Sequence, residues 1–206
     1  MTFCFMLQRE CALTFRHLCL LDPGKSIEDP KGALVGAARL AVHTLAHSGL
    51  AGYPPDIISK FEAAYGIDKA FHVGNDSLDL VFMFSRTDNG FSRACGLALA
   101  YITATALDPI AFKAAKKFYA DDYAQMQKSL EDMMGEQFSA LLTHGDRRYI
   151  SVPPSENDKI PLEACLEVLA KHFYPENMEI TIAGDFDEEE LVREIRTYFG
   201  AFPSRV

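Results

Sequence analysis

Asn177-Met178-Glu179-Ile180-Thr181-Ile182-Ala183-Gly184-Asp185-Phe186-Asp187 sets a strand, a turn and a helix cap in direct succession. Met178, Ile180 and Ile182 alternate with Glu179 and Thr181, the period of a half-buried strand. Gly184-Asp185-Phe186 then turns the chain, and Asp187 stands as N-cap of a helix over Glu188 to Tyr198. Glu188, Glu189 and Glu190 suit the positive end of that helix. A strand handed directly to a capped helix is the closing unit of an α+β layer.

Working back from this unit, Leu162, Cys165, Leu166 and Leu169 predict a helix running toward His172, and Gly145 to Pro154 reads as a loop. Pro109 to Leu142 places Phe112, Ala115, Tyr119, Met126, Leu130, Met133, Met134 and Phe138 at near-helical intervals, predicting one long helix or two with a break near Gly135. Asp88-Asn89-Gly90 introduces the helix before it, which runs to about Leu107 with Asp88 or Asn89 as its N-cap. The runs Lys69 to Val73 and Ser77 to Ser85 flank Gly74-Asn75-Asp76 as a hairpin. Pro54-Pro55-Asp56 opens a short helix that Gly66 ends, and Gly32 to Ser48 reads as a buried helix. Ala12 to Leu21 is a strand stopped by Asp22-Pro23-Gly24, and Met1 to 11 has no clear assignment. The expectation is one two-layer α+β domain over 1–206, with a mainly antiparallel sheet and helices packed on one face.

Composition narrows the function classes. A formal net charge of −9 disfavours nucleic acid and anionic membrane, both of which need clustered cations, and favours a basic partner. Cys4, Cys11, Cys19, Cys95 and Cys165 form no C-x-x-C pair, and an odd count suits thiols in a reducing intracellular compartment. The longest apolar runs fall short of a membrane span, so a soluble chain is expected.

His43-Thr44-Leu45-Ala46-His47 has the outline of the inverted zinc-peptidase motif H-x-x-E-H, with alanine where the general base belongs. His43 and His47 at i and i+4 have a spacing that lets two imidazoles meet one metal. Read without metal, they are two polar residues on the less buried side of a packed helix, shared with Gly36 and Leu40. Asp121-Asp122 and Glu188-Glu189-Glu190 read as solvated or helix-terminal charge, and no serine or cysteine nucleophile has a neighbouring signature.

The element order, the closing string and the His43 to His47 helix resemble a lobe of the pitrilysin/insulinase metallopeptidases from about Leu13 to Phe202. Lys31-Gly32-Ala33, Thr87-Asp88-Asn89-Gly90 and Gly145-Asp146-Arg147-Arg148-Tyr149 resemble strings in the later, non-zinc half of family members that process chloroplast precursors. The resemblance implies a non-catalytic lobe of a multi-lobe enzyme in the chloroplast stroma, with no catalytic residue and no cofactor of its own. Zinc is expected in a catalytic lobe, fused or separate, and a weak zinc site at His43 and His47 is the exception the motif allows. The implied role is to close a chamber and hold a basic, extended, transit-type peptide. In active lobes a further acidic ligand follows, and its place falls near Asp121-Asp122-Tyr123, without the expected glutamate. The alternatives are a core-type subunit that scaffolds a complex, and an autonomous metal-binding protein or weak hydrolase.

Overall fold

The computed structural model describes residues 11–18, 34–50, 52–74, 77–85, 89–173, 178–184 and 186–200. Strands β1 (Cys11–Leu18), β2 (Ile67–Val73), β3 (Ser77–Phe84) and β4 (Met178–Ala183) form an antiparallel sheet in the order β2-β3-β1-β4. Alternation decides which face is covered: Leu78, Leu80, Phe82 and Phe84 of β3 are buried, whereas Met83 is 42% exposed. The hairpin is closed by the Gly74 N–H donating to the Ser77 carbonyl at 2.8 Å. The closing strand pairs with β1, Ile180 opposite Phe15 and Ile182 opposite Leu13. The expected continuation of β1 to Leu21, its Asp22-Pro23-Gly24 stop and the Met1 to Glu10 segment lie outside the described residues, as do Asn75-Asp76, Asp88 and Asp185.

Eight helices are described: α1 (Ala37–His47), α2 (Pro55–Tyr65), α3 (Gly90–Thr103), α4 (Pro109–Met126), α5 (Leu130–Leu142), α6 (Pro154–Asn157), α7 (Leu162–His172) and α8 (Glu188–Phe199). The core joins α1, α3, α7 and α8 to the apolar sheet residues, and Ala41, Leu45, Ala94, Ala98, Cys165 and Leu169 are wholly enclosed. Ser48 ties the end of α1 to the start of α4. Its hydroxyl donates to the Thr44 carbonyl at 2.7 Å and accepts the Asp108 N–H at 2.9 Å.

Four expectations are corrected. The helix expected from Gly32 begins at Ala37, because Gly36 has φ 101 and its absent Cβ would stand 2.9 Å from Asn157 Oδ1. Helix α3 ends at Thr103 instead of about Leu107, and the Thr105 hydroxyl turns back to the Tyr101 carbonyl at 2.9 Å. Asn89 does not cap α3 with its side chain. The stretch after Pro109 breaks at 127–129, where Ser129 Oγ accepts the Asp132 N–H, and Gly135 continues inside α5. A cap supplies a starting point that one interior glycine, costing about 1 kcal/mol, does not outweigh.

A further correction concerns which side of α5 faces inward. Leu130, Met134, Phe138, Leu141 and Leu142 are all more than 60% exposed, and no residue of α5 is buried. The opposite side meets the 147–151 turn, where Glu136 accepts the Ser151 N–H and hydroxyl. Periodicity identified an apolar side correctly, but the core formed by the described residues does not cover it.

The closing strand and helix form as expected, with Asp187 accepting the Glu190 N–H at 2.9 Å. Before them, α7 ends in His172, 5% exposed, whose burial holds its pKa down to about 4 from an ordinary 6.5. Burial disfavours the imidazolium, with the Lys171 charge a second cause. The unfolded chain therefore binds the proton more readily than the folded one. Stability from this group is complete above about pH 6.5 and declines as pH falls toward about 4, a loss of roughly 2–3 kcal/mol. Urea unfolding at pH 7.5 and pH 4.5 should show the decline in the wild type and a shallower one in His172→Gln.

Candidate functional site

Helix α1 places its histidines one turn apart on the side facing α4. The His43 ring lies between two others: His47, 4.6 Å away at 22°, and Phe118 of α4, 4.6 Å away at 28°. Tyr119 meets it edge-on at 5.6 Å. The His47 Nδ1–H donates to the His43 carbonyl at 2.9 Å, and His43 Nδ1 is buried without a hydrogen-bond partner among the described residues. Burial first, and then the neighbouring His47 charge, lower the His43 pKa.

Near-parallel stacked rings direct their nitrogen lone pairs side by side, whereas chelation needs them to converge on one point. Among the described residues no group of three His, Cys, Asp or Glu side chains could hold a metal ion. Asp121 is exposed and ion-paired with Lys117, and Asp122 borders a small cavity beside Gly36, Arg39 and Tyr123. A three-ligand zinc centre does not fit this arrangement. A two-ligand site would require one imidazole to leave the stack, and Ala46 offers no carboxylate to polarise water. The side of α1 that carries the two histidines is not uniformly less buried, since Leu40 on it is only 1% exposed.

Gly145-Asp146-Arg147-Arg148-Tyr149 forms a fastening turn. Asp146 accepts the Arg148 N–H and Nε–H, each at 3.0 Å, which holds its carboxyl below the usual range. The Arg148 carbonyl in turn accepts from Arg39 Nη2 of α1 at 3.4 Å. Burial pushes the Cys165 thiol up to about 12, so it is a core group and not a nucleophile. Burial raises the Cys95 thiol further.

Two features escaped the sequence reading: the outward apolar side of α5, and Arg93. Arg93 is the single charged residue of α3, and that isolation was the available signal. Its guanidinium lies 3.6 Å over the Tyr65 ring beside a cleft between α2, α3 and α8.

Set against known proteins, residues 159–206, which take in α7, β4 and α8, match the model described as the Peptidase M16 inactive domain. Chloroplast stromal processing peptidase of Arabidopsis thaliana is 28% identical over 184 residues, which is 88% of this chain and 14% of that protein. The chain thus spans about 14% of the length of the curated relatives it matches. Among solved structures, the periplasmic protease PqqL from Escherichia coli superposes with TM-score 0.80 at 13% identity, over 99% of this chain and 23% of that one. The peptidase M16 inactive domain from Pseudomonas fluorescens gives 0.78 at 15% identity, over 98% and 48%. The fold is that of an M16 peptidase lobe. The pitrilysin/insulinase resemblance, M16 being that family, is borne out, as is the likeness to stromal processing peptidase.

Proposed function

We infer that this chain, a relative of the M16 peptidases with the fold of one of their lobes, serves as a non-catalytic lobe of a zinc metalloendopeptidase. As one lobe over 1–206, it closes a chamber with a catalytic zinc lobe, fused or separate. There it holds a basic, extended, transit-type peptide during precursor processing in the chloroplast stroma. The observation that carries this reading is the α1 helix: Ala46 stands at the base position, between histidines that stack instead of converging.

Three features support the binding role. Strands β2 and β4 lie at the edges of the described sheet, where an extended peptide can add backbone hydrogen bonds. The net charge of −9 favours a basic peptide. The apolar side of α5, from Leu130 to Leu142, is a seat for the partner lobe. That same side would equally serve a core-type subunit in a scaffold, the rival reading.

The test is to titrate a fluorescent basic transit peptide into the purified chain at rising salt, beside a zinc assay of the wild type and His43→Ala. The expected result is binding without cleavage, weakening as salt screens the charges, and no zinc difference between the two proteins. Zinc-dependent cleavage lost in His43→Ala would replace this reading with the autonomous hydrolase. Stable copurifying partners without peptide affinity would replace it with the scaffold.

A further inference from the structure

A cleft of about 520 Å³ opens between α2, α3 and the end of α8. That volume lies within the roughly 300–1,000 Å³ typical of small-ligand sites. Ile57 and Phe61 of α2 form one wall, and Leu97 and Ala100 of α3 form the other. Tyr198 reaches in from α8 across Gly96, whose absent Cβ would stand 3.3 Å from the tyrosine ring. The walls are apolar, and Ile57 and Phe61 remain 41% and 37% exposed.

One cation borders this apolar space. The Arg93 guanidinium stacks on Tyr65, its Nη1 is buried without a hydrogen-bond partner, and it has no ion pair among the described residues. A guanidinium carries five N–H donors, and a partly desolvated one left without an acceptor is costly. None of the Asp and Glu side chains among the described residues pairs with this cation. The other polar pair in the cleft is spent on itself, Ser92 Oγ and Tyr198 OH lying 2.9 Å apart.

We propose that this cleft binds a small amphiphilic monocarboxylate, its carboxylate on Arg93 and its aliphatic tail along Ile57, Phe61 and Leu97. Chemistry favours an alkyl tail over a peptide terminus. Most of the lining is helix beyond the first turn, and the Leu50–Tyr53 turn that completes it bonds its own N–H and carbonyl groups, so few amides turned toward these walls would find a partner. A hydrocarbon tail presents no such groups. This inference is independent of the peptide-holding role, because it concerns the helical side of the fold and needs neither the sheet edges nor α5.

The experiment uses the 206-residue chain and the fluorescence of 11-(dansylamino)undecanoate, compared with its uncharged methyl ester. The acid should bind the wild type about tenfold more tightly than the ester, or better. Arg93→Met should erase that preference while keeping the ester's affinity. Because it removes a charge without a counter-charge, this variant is expected to fold, which an unfolding curve checks. Ala100→Phe, which fills the cleft, should weaken both probes. Equal affinities for acid and ester, or an undiminished preference in Arg93→Met, would overturn the proposal. So would displacement of the probe by a peptide ending in phenylalanine more tightly than by dodecanoate, which would assign the cleft to protein C-termini.

Discussion

Replacing Lys69 with alanine should cost about 3–5 kcal/mol of folding stability, the range for removing one member of a buried ion pair. Lys69 leaves the edge strand β2 and donates to Glu62 Oε1 of α2 at 2.5 Å and to the Tyr101 hydroxyl of α3 at 2.8 Å. The lysine and glutamate side chains are 15% and 13% exposed, and Tyr101 is wholly buried. One ammonium thus fastens three elements, and removing it strands a carboxylate and a phenol away from water. The Tyr101 hydroxyl stays neutral beside the glutamate, because burial and then Glu62 itself raise its pKa. Urea unfolding should show a lower midpoint at an unchanged slope. The double variant Glu62→Gln, Lys69→Met should lose less than Lys69→Ala alone, since it leaves no unpaired charge behind. A single-variant loss below 1 kcal/mol, or simple additivity in the cycle, would mean that water reaches the pair.

Phe82→Ala should be comparably damaging, about 3–5 kcal/mol for emptying a buried aromatic site. Phe82 sits in the middle of β3, opposite Leu13 of β1 and Lys69 of β2, and is fully enclosed. Its ring packs edgewise on Phe71 at 5.6 Å and tilted on Tyr101 at 6.0 Å. The site lies between a sheet and a helix and cannot collapse without shifting one of them, so most of the cavity should persist. Its neighbour Met83 points to the other face and is 42% exposed, so Met83→Ala should change stability by only about 0.5 kcal/mol. Thermal unfolding of the two variants side by side checks the assignment. Equal losses would mean that both faces of β3 are packed.

The two predictions differ in how far their residues could be read in advance. The facing of Phe82 follows from alternation with Asp79, Val81 and Met83, because a pleated strand leaves only two sides. The Lys69, Glu62 and Tyr101 network had no such signal. Its members are separated along the chain, and whether a lysine in a strand finds a carboxylate depends on how α2 and α3 cross β2. The candidate metal site divides the same way. The spacing of His43 and His47 and the alanine between them are properties of the string, whereas their stacking beneath Phe118 is a property of how α4 lies on α1.

Local pattern suffices for the closing strand and its capped helix, the β2–β3 hairpin, the helix starts at proline and aspartate, and the absence of a glutamate at position 46. These are local matters of backbone period, cap chemistry and residue identity. Packing decided that Leu130, Met134 and Phe138 face away from the core, and that Arg93 stands beside an apolar cleft with no carboxylate partner among the described residues. A helical period states that a helix has an apolar side, but what covers that side depends on surfaces distant in the chain. An isolated arginine, likewise, becomes informative only once the packed helices around it show that no carboxylate among the described residues reaches it.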